Sequence, residues 1–148
     1  MKRIIGLALA VAALAAAGCG DTADKNEYVT NVNNAQAALT MSLGKINPAG
    51  QPEQVATELD DGGKAIEKAA TDFEAITPPD DAKSAHARIV KGLNGLAATF
   101  HDAAEAARAK DSEKMVSLLS NIQTSDGAKE LEAAQKELTA NGYKFKDA

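Results

Sequence analysis

The chain has 148 residues, of which 45% are hydrophobic, 25% charged and 3% aromatic, and its formal net charge is −5. This length fits one domain and argues against a multidomain enzyme, while the hydrophobic fraction is sufficient for a core. The negative charge and the lack of Trp argue against a basic nucleic-acid-binding surface and against an aromatic-lined sugar cleft. We therefore expect no nucleic acid among the partners.

The first eighteen residues have the pattern of a secretory signal peptide. Lys2 and Arg3 give a positive start, and an uncharged apolar run from Ile4 to Ala17 follows. This run is shorter than the roughly 20 residues that a helix needs to span a bilayer. Cys19 is the single cysteine of the chain, which excludes an internal disulfide and a cysteine-based zinc site.

The residues Ala16-Ala17-Gly18-Cys19 resemble the lipobox of bacterial lipoproteins, with Ala16 at a position that is usually Leu. This resemblance implies that the Cys19 thiol carries diacylglycerol, that acyl chains such as palmitate complete the anchor, and that the chain is cut before Cys19. It predicts a signal peptide at 1–18, a lipidated tether at 19–23, and a location on the extracytoplasmic face of the cell membrane. The alternative is a signal peptide cut after an Ala-x-Ala site, which leaves a free thiol.

Two amphipathic helices are predicted in the first half of the remaining chain. Helix one starts at Asp24, where Glu27 completes a capping-box spacing, and it ends at 47–50. Helix two starts at Pro52, whose missing N–H costs nothing in a first turn. Apolar residues at steps of three and four form one stripe on each helix: Tyr28, Val32, Ala35, Leu39, Leu43 and Ile46, then Val55, Leu59, Gly62, Ile66, Ala69, Phe73 and Ile76. At Gly62 we expect close approach of a neighbouring helix, with a hinge or a ligand notch as the alternative.

Two more helices are predicted after the break at 77–81. Helix three runs to about Lys110, and tight packing is expected at Gly92 and Gly95. Helix four starts near Asp111 and is kinked or broken near 124–127, because a polar and glycine-containing stretch disturbs its apolar register. The stripe of helix three is Ala82, His86, Ile89, Leu93, Leu96, Phe100, Ala103 and Ala107.

These segments predict an all-α fold, an antiparallel up-down-up-down four-helix bundle over residues 24–142. Isolated helices of this length are marginal in water, so each stripe has to be buried against the others. Asn141 and Gly142 are typical of a helix end. The tail at 143–148 is expected to fray, or to fold back through Tyr143 and Phe145.

His86, His101 and Glu105 are the weak candidates for metal ligands. The two histidines are roughly 22 Å apart along one helix, since each residue adds 1.5 Å, and cannot share one ion. His86 is expected to be partly exposed or capping at the end of the bundle. His101 and Glu105 share a helix face, but a bundle metal site needs further inward-facing carboxylates, so we expect solvated surface there. We predict no metal and no cofactor.

The whole chain also resembles small helical lipoproteins of high-GC Gram-positive bacteria, a group that implies no established activity. The likeness rests on the lipobox, on Asn26-Glu27-Tyr28-Val29 with Asn31-Val32-Asn33, on Pro78-Pro79 and on His86 before Ile89-Val90-Lys91-Gly92-Leu93. The chain has no phosphate-binding glycine loop and no nucleophile elbow, so we expect no enzymatic activity. The predicted role is structural or protein-interacting in the cell envelope, with the membrane and another envelope protein as partners. The alternative is a helical module that binds a small ligand or a metal.

Overall fold

The computed structural model of the chain describes residues 19–43 and 50–144, which form five α-helices and two 3-10 turns. No strand occurs among these described residues, so the all-α prediction is confirmed. The helices are α1 (Cys19–Leu43), α2 (Pro52–Glu74), α3 (Lys83–Arg108), α4 (Ser112–Ser120) and α5 (Asp126–Ala140), and the 3-10 turns are Asp80–Ala82 and Ile122–Thr124.

Helix α3 is the central element, because it packs against α2, α4 and α5, while α1 packs against α2. The predicted stripes of helices two and three are confirmed as the faces that supply most of the core. The buried apolar residues of these two helices include Val55, Leu59, Ile66, Phe73, Leu93, Ala97, Phe100, Ala103 and Ala107. Many contacts are made by alanine, which allows the helices to approach closely.

Helix α1 differs from the prediction at its start. It begins at Cys19 rather than at Asp24, so the expected tether at 19–23 is helical backbone continuous with the rest of α1. Tyr28 and Val32 of its stripe are buried, as predicted. The other predicted positions within α1, Ala35, Leu39 and Leu43, are helical, but their side chains lie outside what the structure describes. Ile46 and the predicted stop at 47–50, up to residue 49, also lie outside the described residues.

The predicted interruption of the fourth helix is confirmed and produces two helices. Asp111 caps α4 by accepting a hydrogen bond from the Lys114 N–H at 2.9 Å. After the turn at 121–125, Ser125 caps α5 through a 3.2 Å hydrogen bond from the Ala128 N–H. In a continuous helix the Ala128 N–H would donate to a backbone carbonyl of the preceding turn. Here it donates to the Ser125 side chain, so a new helix begins at this point.

Three glycines bring the backbones of α3 and α5 into contact. A Cβ atom added at Gly127 would lie 2.7 Å from the Gly92 carbonyl oxygen and 2.9 Å from the Leu96 nitrogen. A Cβ added at Gly95 would lie 3.2 Å from the Gly127 Cα. The tight packing expected at Gly92 and Gly95 is therefore confirmed, and its partner is the first turn of α5.

The end of α5 turns the chain back onto the core. Gly142 has a φ of 84°, a left-handed conformation that glycine adopts without strain. The Tyr143 N–H donates to the Leu138 carbonyl at 3.0 Å, which closes a Schellman cap. Tyr143 is 3% exposed, so the tail folds back at this residue, while Phe145 lies outside the described residues.

Candidate functional site

Four segments of the chain meet at one end of the molecule. They are the first turns of α1, the end of α2, the start of α3 with the 3-10 turn before it, and the residues after α5. The side chains that join them are Lys25, Tyr28, Phe73, Asp81, His86 and Tyr143, and we refer to them as the end cluster.

His86 lies inside the end cluster between two aromatic rings. Its ring centroid is 5.9 Å from that of Tyr28 and 5.8 Å from that of Phe73, and its Nδ1 atom shares a 3.2 Å hydrogen bond with the Tyr28 hydroxyl. The residue is 8% exposed, so the expectation of a partly exposed or capping histidine is wrong. The reason is that Tyr28 of α1 and Phe73 of α2 both contact the imidazole.

Burial keeps both polar groups of this pair neutral near pH 7. It raises the pKa of Tyr28 to about 12, because the phenolate would lose its hydration. It lowers the pKa of His86 for the same reason, with a smaller opposing effect from the Glu74 charge. Neutral groups that satisfy each other are stable in an apolar setting, so the pair acts as a structural contact.

Asp81 holds the outer side of the end cluster together. Its carboxylate accepts a 2.6 Å hydrogen bond from the Tyr143 hydroxyl and pairs with the Lys25 ammonium at 2.5 Å. The Lys25 ammonium also lies 5.0 Å from the Tyr143 ring centroid. The bond from Lys25, and secondly that from Tyr143, hold the pKa of the Asp81 carboxyl below its usual value. These contacts connect α1, the loop before α3, and the chain after α5.

An open cleft of about 820 Å³ lies beside the end cluster, between α1 and the loop after α2. Its size is in the range of small-molecule sites. Tyr28 forms part of its surface, so the cleft and the end cluster share a residue. The lining residues are Glu27, Tyr28, Asn31, Asn34, Asp72, Ala75, Ile76, Thr77, Pro78 and Pro79.

His101 lies in a second polar cluster, between α2 and α3. Its Nδ1 is 3.0 Å from an Asp60 carboxylate oxygen and its Nε2 is 3.3 Å from a Glu67 oxygen, while Arg108 pairs with the other oxygen of Asp60. The solvated surface expected here is observed for the exposed Glu105 but only in part for His101, because two carboxylates of α2 face its ring. Both ring nitrogens can donate to these carboxylates only when the imidazole is protonated.

The charges of this second cluster stabilise one another. The hydrogen bond to Asp60 is the main reason that the pKa of His101 is raised, and the same bond, followed by the one from Arg108, lowers the pKa of Asp60. Gly63 makes room for the ring, since a Cβ there would lie 2.7 Å from His101 Cε1. The close approach predicted at Gly62 is thus observed at the neighbouring glycine, although Gly62 is itself buried.

The three candidate metal ligands do not come together. His86 is enclosed by aromatic rings, His101 is bonded to α2, and the exposed Glu105 has no hydrogen bond or ion pair with His101 among the described residues. Within 19–43 and 50–144, no three His, Cys, Asp or Glu side chains are grouped as a metal ion would require. The lipidation candidate Cys19 is the first residue of α1.

The contact between Tyr28 and Tyr143 was missed from the sequence, although Tyr28 was placed on the apolar stripe of helix one and fold-back of Tyr143 was one alternative for the tail. Tyr28 and Tyr143 are 115 positions apart in the chain, yet their ring centroids are 5.7 Å apart. The available signal was compositional, because the chain has five aromatic residues and only two are tyrosines. Two amphipathic tyrosines at the start of the first helix and after the last one are suited to a buried contact with a polar rim.

In the described part of the chain, no helix combines the length and apolar character that crossing a membrane requires. The chain matches no protein-family model, no curated protein and no solved structure.

Proposed function

We propose that this protein is a lipoprotein anchored through Cys19 to the extracytoplasmic face of a bacterial cell membrane, with a non-catalytic role in the cell envelope. The observation that carries the proposal is the sequence from Met1 to Cys19, in which a positive start, an apolar run and a lipobox-like exit lead to the single cysteine. Two or more acyl chains give stable anchoring, whereas one chain gives marginal binding.

The helical start at Cys19 supports a rigid connection between the anchor and the domain. Cys19 and Tyr28 belong to one continuous helix, and nine residues of helix span roughly 13 Å. Under this proposal the end cluster and its cleft are close to the membrane, and the opposite end of α3 is farther from it. We also propose that α4 and α5 together take the place of the fourth helix in an up-and-down four-helix bundle.

The non-catalytic role is supported by the surroundings of both histidines. A catalytic acid or base needs access to substrate and a suitable pKa. His86 is covered by Tyr28 and Phe73, and the two ring nitrogens of His101 face Asp60 and Glu67. The proposed role is therefore contact with another envelope protein or a contribution to envelope structure.

Metabolic labelling tests the anchor directly. The full chain is expressed in a bacterium that processes lipoproteins, in the presence of a clickable palmitate analogue. The unaltered chain and an Asn26→Ala control should be labelled and found in the membrane fraction, and Cys19→Ala should carry no label. Equal labelling of Cys19→Ala, or no labelling of the unaltered chain, would refute the anchor.

The second candidate function is a small-ligand-binding module, and the cleft beside Tyr28 is the observation that favours it. The cleft combines polar side chains with apolar residues within one concave surface. This combination is typical of small-molecule sites, in which apolar contacts give affinity and a few polar groups give orientation.

A further inference from the structure

The two walls of the cleft have different chemical character. On the α1 side, Glu27, Asn31 and Asn34 follow one another at helical spacing, so their polar side chains lie along one face. On the opposite side, Ile76, Pro78 and Pro79 form an apolar wall that the prolines make rigid. A ligand between these walls needs a polar side and an apolar side.

The charge of the lining is negative. Glu27 and Asp72 supply carboxylates, and no Lys or Arg is among the lining residues. The last turn of α2, which ends beside the cleft, contains no basic residue to offset the partial negative charge of a helix carboxyl end. The electrostatic surroundings therefore favour a cation.

Glu27 is the carboxylate available to such a cation. Asp72 is paired with Lys68 at 2.5 Å, so part of its charge is already compensated. Glu27 is exposed, and no other described residue forms an ion pair or a side-chain hydrogen bond with it. The side-chain amides of Asn31 and Asn34 likewise make no hydrogen bond within the described part of the chain.

We propose that the cleft binds an organic cation, namely a protonated amine carried on an apolar body. The ammonium pairs with Glu27, hydrogen-bonding groups near it reach Asn31 and Asn34, and the apolar body packs against Ile76, Pro78 and Pro79. This inference rests on the ligand-binding function proposed above for the same cleft, and it names the class of ligand.

Calorimetric titration of three probes of equal shape tests this class. The full chain, in a detergent with an uncharged headgroup, is titrated with cyclohexylmethylammonium, with cyclohexylmethanol and with cyclohexanecarboxylate, each against a detergent blank. Because a charge-assisted hydrogen bond is roughly twice as strong as a neutral one, the ammonium should bind saturably and about tenfold more tightly than the alcohol. The carboxylate should not bind.

Substitution of the carboxylate locates the site. Glu27→Gln should weaken the ammonium about tenfold and leave the alcohol unchanged, since the amide keeps the shape and removes the charge. Glu113→Gln, an exposed change on α4, is the matched control and should leave all three affinities unchanged. Circular dichroism should show the same helicity in all chains.

The failures of the two proposals are distinguishable. Equal affinity for ammonium and alcohol, or ammonium binding that Glu27→Gln does not weaken, would refute the cation class and retain a ligand-binding cleft. If none of the three probes bound saturably at millimolar concentration, both the cation class and the ligand-binding function would be refuted.

Discussion

The two histidines of α3 show how neighbouring side chains determine the state of one residue type. His86 is neutral, because it is packed between Tyr28 and Phe73 and burial lowers its pKa. His101 faces two carboxylates, and its pKa is raised mainly by the hydrogen bond to Asp60. Each histidine joins α3 to a neighbouring helix.

His101 should make the stability of the protein depend on pH. Its folded pKa is raised above the 6.5 of a free histidine, so its stabilising effect is fully present below pH 6.5 and is lost as the pH rises through the folded pKa. The lowered pKa of Asp60 acts in the opposite range, with its stabilisation present above pH 3.8 and lost as the pH falls through its folded pKa.

Urea unfolding at pH 6 and pH 9 measures this effect. The free energy of unfolding of the unaltered chain should exceed that of His101→Gln at pH 6, and this difference should shrink at pH 9. A difference that stays constant between these pH values would show that His101 is not protonated between Asp60 and Glu67.

At the residue scale, helical spacing predicts which face of a helix is buried, but not which side chains of other helices contact it. Helical spacing placed His86 on the buried stripe, and that position is confirmed, but its exposure was misjudged because Tyr28 is 58 positions away. His101 lies beside the stripe, and its spacing predicts solvated surface, whereas Asp60 and Glu67 of α2 face its ring. Periodicity within one helix carries no information about the register between two helices.

At the element scale, the contact between α3 and α5 determines where the last part of the chain can lie. Gly127 is buried in the first turn of α5, against the backbone of α3 at Gly92 and Gly95. The interruption near 124–127 was predicted from its polar and glycine composition. The contact of Gly127 with α3 was not predicted, because the loss of apolar register shows where a helix is interrupted and not what the interruption packs against.

Gly127→Ala should lower the free energy of unfolding by about 1–3 kcal/mol, because its Cβ would overlap two backbone atoms that cannot move independently. Gly50→Ala is the control, since its Cβ would meet the flexible end of the Gln54 side chain at 3.1 Å. Urea unfolding monitored by circular dichroism compares the two variants. An effect of Gly127→Ala no larger than that of Gly50→Ala would contradict the observed contact.

At the scale of the whole molecule, α1 connects the proposed anchor to the helices of the core. It packs against α2, and Tyr28 and Val32 are the buried residues among the α1 side chains that the structure describes. The end cluster adds the Lys25–Asp81 pair and the contact of Tyr28 with Tyr143. The all-α class was predictable from composition and periodicity. The packing of Tyr143 against Tyr28 and Asp81 depends on contacts between distant segments, so the sequence predicts the fold-back of the tail only as one of two alternatives.

Tyr28→Ala should release α1 from the rest of the protein. Loss of a buried aromatic side chain costs about 3–5 kcal/mol, and Tyr28 also satisfies His86. Hydrogen exchange should show lost protection of amides at 25–34, with α2 and α3 still protected, whereas Asn26→Ala should exchange like the unaltered chain. Unchanged protection of 25–34 in Tyr28→Ala would show that α1 is held by other contacts.

Mass spectrometry of the mature amino terminus tests the lipid anchor most directly. The protein is extracted with detergent from the membranes of a lipoprotein-processing bacterium, and its first proteolytic peptide is analysed. The account predicts a peptide that begins at Cys19 and carries a thioether-linked diacylglycerol. A peptide that begins at Cys19 or elsewhere with an unmodified thiol, or one that still contains Met1, would contradict it.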